Sequence, residues 1–77
     1  MNQTQITNPL EVAIKANLRA LSDLLARAAS DAQEAAGYAE ANERNTAIGT
    51  ILDLDRLLVD ATALHGAALA LHRRAPR

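Results

Sequence analysis

The chain has 77 residues, a net charge of −1 at pH 7, 49% apolar residues and a single aromatic one, Tyr38. Without cysteine it can form neither disulfides nor thiolate metal sites, and at this length a single domain buries only roughly 60% of its unfolded surface. Much of the apolar content is alanine, Gly and Pro are few, and β-branched and aromatic strand formers are scarce, so the composition predicts an all-α fold.

Residues 1–8 are polar, lack the basic patch and apolar run of a signal peptide, and are expected to form a flexible N-terminal segment. Nothing in the chain approaches the roughly 18 consecutive apolar residues of a membrane span, so a soluble cytoplasmic protein is the expectation. The first element begins at "NPLE". Asn8 supplies an oxygen for the free amides of the first turn, and Pro9 fits the first helical position, where its missing N–H is no loss. Glu11 stands three residues past the cap, at the positive end of the helix.

A heptad pattern then runs through residues 9–40. Ile14, Leu21, Ala28 and Ala35 form one line, Leu18, Leu25, Ala32 and Ala39 a second, and Leu10, Leu24 and Tyr38 border this seam. Ala26 to Asn42 contains no Leu, Ile, Val or Phe, yet alanine keeps the leucine phase there. A linker has no reason to keep phase, so the stretch predicts helix with a close approach by a neighbour.

The spacing places a reversal within about residues 40–46, with Asn42 capping a second helix over about 43–74; a break at Gly37 is the alternative. In the second helix Ala47, Leu54, Ala61 and Ala68 form one line and Thr50, Leu57, Leu64 and Leu71 the other, with Ile51 and Leu58 on one flank. His72, Arg73 and Arg74 suit its negative end, Pro76 stops it, and 75–77 form a tail. Folding at Asn42 sets Ala32 opposite Leu52, Ala35 opposite Gly49 and Leu18 opposite Gly66. Small residues thus meet large ones, which lets two layers interdigitate.

The expected architecture is an antiparallel two-helix hairpin. Ile48, Ile51, Leu52, Leu54, Leu57, Leu58 and Val59 are more apolar surface than one narrow seam can hide. The hairpin is therefore expected to dimerise into a four-helix bundle, or to receive a different protein on that face. Core and interface residues on this reading are Ile14, Leu18, Leu21, Leu25, Ala28, Ala32, Ala35, Ile51, Leu54, Leu57, Leu58, Leu64 and Leu71. Charge is polarised along the chain. Residues 31–60 carry seven carboxylates against Arg44 and Arg56, net −5; the remainder carries six basic residues against Glu11 and Asp23, net +4. Glu40 and Glu43 near the bend, and Lys15, Arg19, Arg73 and Arg74 at the open end, are the candidate charged contacts.

Catalytic and metal chemistry find little to work with. His65 and His72 are two helical turns apart, roughly 10 Å, too far to share one ion. Asp53, Asp55 and Asp60 scatter around the helix axis without a calcium loop. A nucleophile elbow and a phosphate loop are both missing. No catalytic, cofactor or metal residue is assigned, and the expected function is a small protein–protein interaction module: an adaptor, accessory or inhibitor protein. In shape and length the hairpin resembles the Rop-type RNA-binding hairpin, a dimeric four-helix bundle that grips RNA on a helix face. That resemblance implies an alternative in which Lys15, Arg19, Arg73 and Arg74 contact phosphates, although the chain has no phenylalanine to stack on bases. A helical chaperone, or a phage-type inhibitor of a host protein, is a third expectation.

Overall fold

The computed structural model describes residues 8–75. Residues 1–7 of the N-terminal segment, Pro76 and Arg77 lie outside them. All regular structure among the described residues is helical: α1 (Pro9–Glu40), α2 (Arg44–Thr50) and α3 (Leu54–Arg74). α2 and α3 pack in turn along the length of α1, giving a hairpin in the form of a flat rod with extents of 62 × 25 × 15 Å.

α1 starts where its capping chemistry is best. Asn8 is extended, and its Oδ1 accepts a 2.9 Å hydrogen bond from the Leu10 N–H, with Pro9 in the first turn. At the other end the chain leaves the helix through Asn42, whose φ of 65° is the left-handed conformation. The Glu43 N–H donates to the Tyr38 carbonyl at 2.8 Å, and the Asn42 N–H to the Ala39 carbonyl at 3.0 Å. This crossed pair is the Schellman motif, with asparagine where glycine is usual. Asn42 thus closes α1, whereas the sequence reading made it the cap of the second helix. The residue before α2 is Glu43, which makes no side-chain cap bond. Gly37 sits inside α1 on its exposed side.

Asn42 carries a testable cost. A residue with a Cβ in this conformation is disfavoured by roughly 1–2 kcal/mol, asparagine less so and glycine hardly at all. Asn42→Gly is therefore expected to raise the thermal midpoint and Asn42→Val to lower it by several degrees. Equal melting of the two variants would remove the left-handed turn.

The run expected as one helix over about 43–74 is divided. Between α2 and α3, Ile51, Leu52 and Leu54 donate to carbonyls three residues back, at 3.2, 3.4 and 3.0 Å. The physical cause lies just upstream. The Thr50 hydroxyl donates to the Thr46 carbonyl at 2.9 Å, a back-bond that bends helices. Gly49 and the β-branched Ile48, Thr50 and Ile51 add low helix propensity. Because Ile51 and Asp53 stay close to helical dihedrals, with φ/ψ of −100/8° and −81/−7°, the chain tightens without reversing. α3 ends at Ala75, which is extended as the residue before a proline is pressed to be.

The seam is narrow and made of small residues. Among the described residues six side chains are buried: Ala28, Ala35, Ala47, Leu57, Ala61 and Ala68. Leu57 is the one large member of this set, and none of the described side chains is below 2% exposure. Half-buried Ile14, Leu21, Leu54, Leu64 and Leu71 complete it, together with Leu10, Asn17, Leu24, Asp31 and Tyr38. The second line expected of α1 does not enter it. Leu18 is 49% and Leu25 47% exposed, and Ala32 and Ala39 are exposed as well. The hairpin seam instead uses the heptad line Leu10–Asn17–Leu24–Asp31–Tyr38, although two of its members are polar. The pairing also shifts. Leu52, 70% exposed, cannot cover Ala32, and Gly49 and Gly66 are exposed too. Ala35 lies with Ala47, and Leu21 with Ala61. The individual pairs thus differ from those expected, but near the bend the alanines of α1 still face the larger Ile48, Ile51 and Leu54 across an open groove.

Candidate functional site

The displaced line and its neighbours form the most prominent surface of the molecule. Leu18, Leu25, Ala32 and Ala39 follow one another at heptad spacing along α1, outside the seam. Leu58, His65 and His72 do the same along α3, and Thr62 and Leu69 fill the positions beside them. Two open grooves set Leu25, Ala32, Ala39, Leu58, Thr62 and His65 on one side of the rod, and Leu18, Leu69 and His72 share that side by heptad spacing. One, of about 260 Å³, is lined by Leu21, Leu25, Leu58, Ala61, Thr62 and His65. The other, of about 370 Å³, is lined by alanines of α1 with Ala47, Ile48, Ile51 and Leu54. Neither groove has a charged residue in its wall. Across this face the large exposed side chains are Leu18, Leu25, Ile48, Leu58 and Leu69, each 41–52% exposed. Val12, Leu52 and Val59 are also exposed but stand apart from it.

The structure disperses the remaining candidate residues. Glu40 and Glu43 are exposed at the bend; Lys15, Arg19, Arg73 and Arg74 are exposed toward the other end. Asp53 and Arg56 approach within 3.8 Å, but both side chains are about three-quarters exposed (74% and 75%), so the pair adds little stability. Among the described residues no group of three His, Asp or Glu side chains is gathered around a common point. A third depression, lined by Ala39, Asn42, Arg44 and Asn45, lies open at the reversal and collects no titratable pair.

Charge polarity is smaller in space than along the chain. Leu25 and Leu58 share a groove near the middle of the rod, which puts Asp60 in the open half and Arg27 in the bend half. The bend half then holds six carboxylates and three arginines, net −3; the open half holds three carboxylates and five basic residues, Arg77 included by sequence, net +2. The sign of the polarity survives at about half its size.

The missed signal lay in polarity itself. Asn17 and Asp31 hide a seam line from any reading that seeks unbroken apolar heptads, while the unbroken line faces outward. No described helix is long and apolar enough to cross a membrane. No family model, curated protein or solved structure matches the chain.

Proposed function

We propose that the protein is a small, non-catalytic protein–protein interaction module that works through the open apolar face of the hairpin. The observation that carries this reading is the strip Leu18–Leu25–Ala32–Ala39 on α1, free of charged side chains, beside the exposed Ile48, Leu58 and Leu69, with Asp55 as a single carboxylate on the α3 side. A contiguous apolar strip of that length on so small a chain marks a surface made to be covered. Its grooves are shallow and open, unlike the concave, largely enclosed pockets that hold small ligands. Adaptor, accessory and inhibitor roles all use such a face.

The deciding experiment is affinity capture from a cell extract, with and without nuclease, using the wild-type chain and the Leu25→Asp/Leu58→Asp variant. Protein capture that survives nuclease, whether of an untagged copy of this chain or of another protein, and that is lost in the variant is the expected result. Capture that disappears with nuclease, is unaffected by the variant and weakens steeply with salt would instead place the function in the basic residues. Each phosphate contact there would add about one unit of log–log salt slope.

A further inference from the structure

We infer that the occupant of the open face is a second copy of this chain, stacked face to face and running antiparallel, so that two hairpins make a four-helix bundle. The inference rests on the proposed role of that face and adds the identity and orientation of what covers it.

The open face is of interface size. The strip from Leu18 to Ala39 runs about 32 Å along α1, and with the 25 Å width of the rod it matches the roughly 800 Å² per partner that a standard specific interface removes from water. The core is small as well. Among the described residues one leucine and five alanines are the buried set, and a chain this short with so little interior gains much of its stability from what it pairs with.

Self-pairing also fits the sizes along the face. With the two-fold axis crossing the middle of the rod near Leu25 and Leu58, residues equally far on either side of these two meet across it. Leu18 then lies against the partner's Ala32, seven positions to each side of Leu25, and Ile51 against the partner's His65, seven to each side of Leu58. Leu25 and Leu58 meet their own counterparts. On α1 the large Leu18 of the open half thus falls on an alanine of the bend half, the kind of alternation that fills an interface without voids, while Leu25 and Leu58 form an apolar centre.

Charge selects the direction. A parallel stack sets one net −3 bend half beside the other and the two +2 halves together; an antiparallel stack sets −3 beside +2. Exposed pairs are each worth only about 0–1 kcal/mol. Removing like-charge contact at both ends still separates two arrangements that bury similar apolar area.

Because the chain has no cysteine, introduced thiols report on themselves alone. The test uses Glu43→Cys and Arg73→Cys, exposed at opposite ends of the rod, each alone and in an equimolar mixture, with a short bis-maleimide. The solution mass of the wild type is measured in parallel. The expected results are twice the mass of one chain, a covalent heterodimer in the mixture, and no covalent dimer from Glu43→Cys alone. A cross-linked Glu43→Cys homodimer, or a dimer in which neither combination reacts, overturns the antiparallel arrangement. A mass of one chain at micromolar concentration overturns the second copy altogether. In that case nuclease-resistant capture of another protein, lost in Leu25→Asp/Leu58→Asp, would leave the interaction-module reading standing while this inference fails.

Discussion

Leu57→Asp is expected to abolish the folded state. Leu57 is the only large side chain in the buried set, at 5% exposure, and its buried companions are alanines. Truncation to alanine would already cost about 2–5 kcal/mol. A carboxylate adds the penalty of a buried charge with no partner, several kcal/mol more. A chain of this size has in total roughly 4–12 kcal/mol of stability at the usual 0.05–0.15 kcal/mol per residue. The substitution therefore consumes most or all of it. Helix content by circular dichroism should collapse at 25 °C, and dimerisation cannot rescue it, because Leu57 points into the hairpin seam and away from the open face. Wild-type helix content and melting in Leu57→Asp would mean that α1 and α3 do not meet where the seam places them. Val59→Asp, two residues on and 67% exposed, is the matched control and should leave the fold intact.

The parts of this architecture that were legible in the sequence are those written in local chemistry. Asn8 and Pro9 announce the start of α1 because an oxygen acceptor and a missing N–H each answer a specific need of a first turn. Alanine persisting in phase from Ala26 to Ala39 reveals a helix where composition alone suggests a linker. What stayed hidden depends on competition between signals. The tightened turn at Ile51–Asp53 leaves the apolar period unbroken, since Thr50, Leu54, Leu57 and Ala61 keep their places in or beside the seam. A hydroxyl back-bond at Thr50, beside Gly49 and β-branched neighbours, can divide a helix without leaving a trace in the apolar pattern.

The assignment of faces failed for a different reason. α1 offers two candidate partners for the Ile14–Leu21–Ala28–Ala35 line, one wholly apolar and one interrupted by Asn17 and Asp31. Apolarity favours the first for burial, but geometry places the second between the helices and leaves the first uncovered. Asn17 and Asp31 are only half-buried and keep access to water, so their cost inside the seam is small. A fully apolar line left outside has no such accommodation, and it is this mismatch that turns a fold observation into a functional one.

The same geometry predicts opposite responses to one substitution made a single turn apart on α1. Ala28 is buried at 8% exposure, whereas Ala32 is exposed on the open face. Alanine at the contact lets two helices sit near the close end of the 8–10 Å range of interaxial distances. A leucine there must displace the opposing helix or adopt a poor rotamer, at roughly 1–3 kcal/mol. Ala28→Leu is accordingly expected to lower the thermal midpoint by about 4–8 °C per kcal/mol lost. Adding Ala68→Leu, a buried alanine of the opposing helix toward the open end, should lower it further, since the two sites lie at different levels of the rod and their effects add. Ala32→Leu places the same three carbons in the open groove it shares with Ile48, Ile51 and Leu54, where there is room for them, so the hairpin should keep its helix content. Any loss there should appear as weakened association, because in the proposed antiparallel pair the added bulk meets the partner's Leu18. If Ala28→Leu and Ala32→Leu melt alike, α1 and α3 are not in close contact at Ala28, and the alanine stripe is not the surface on which this hairpin closes.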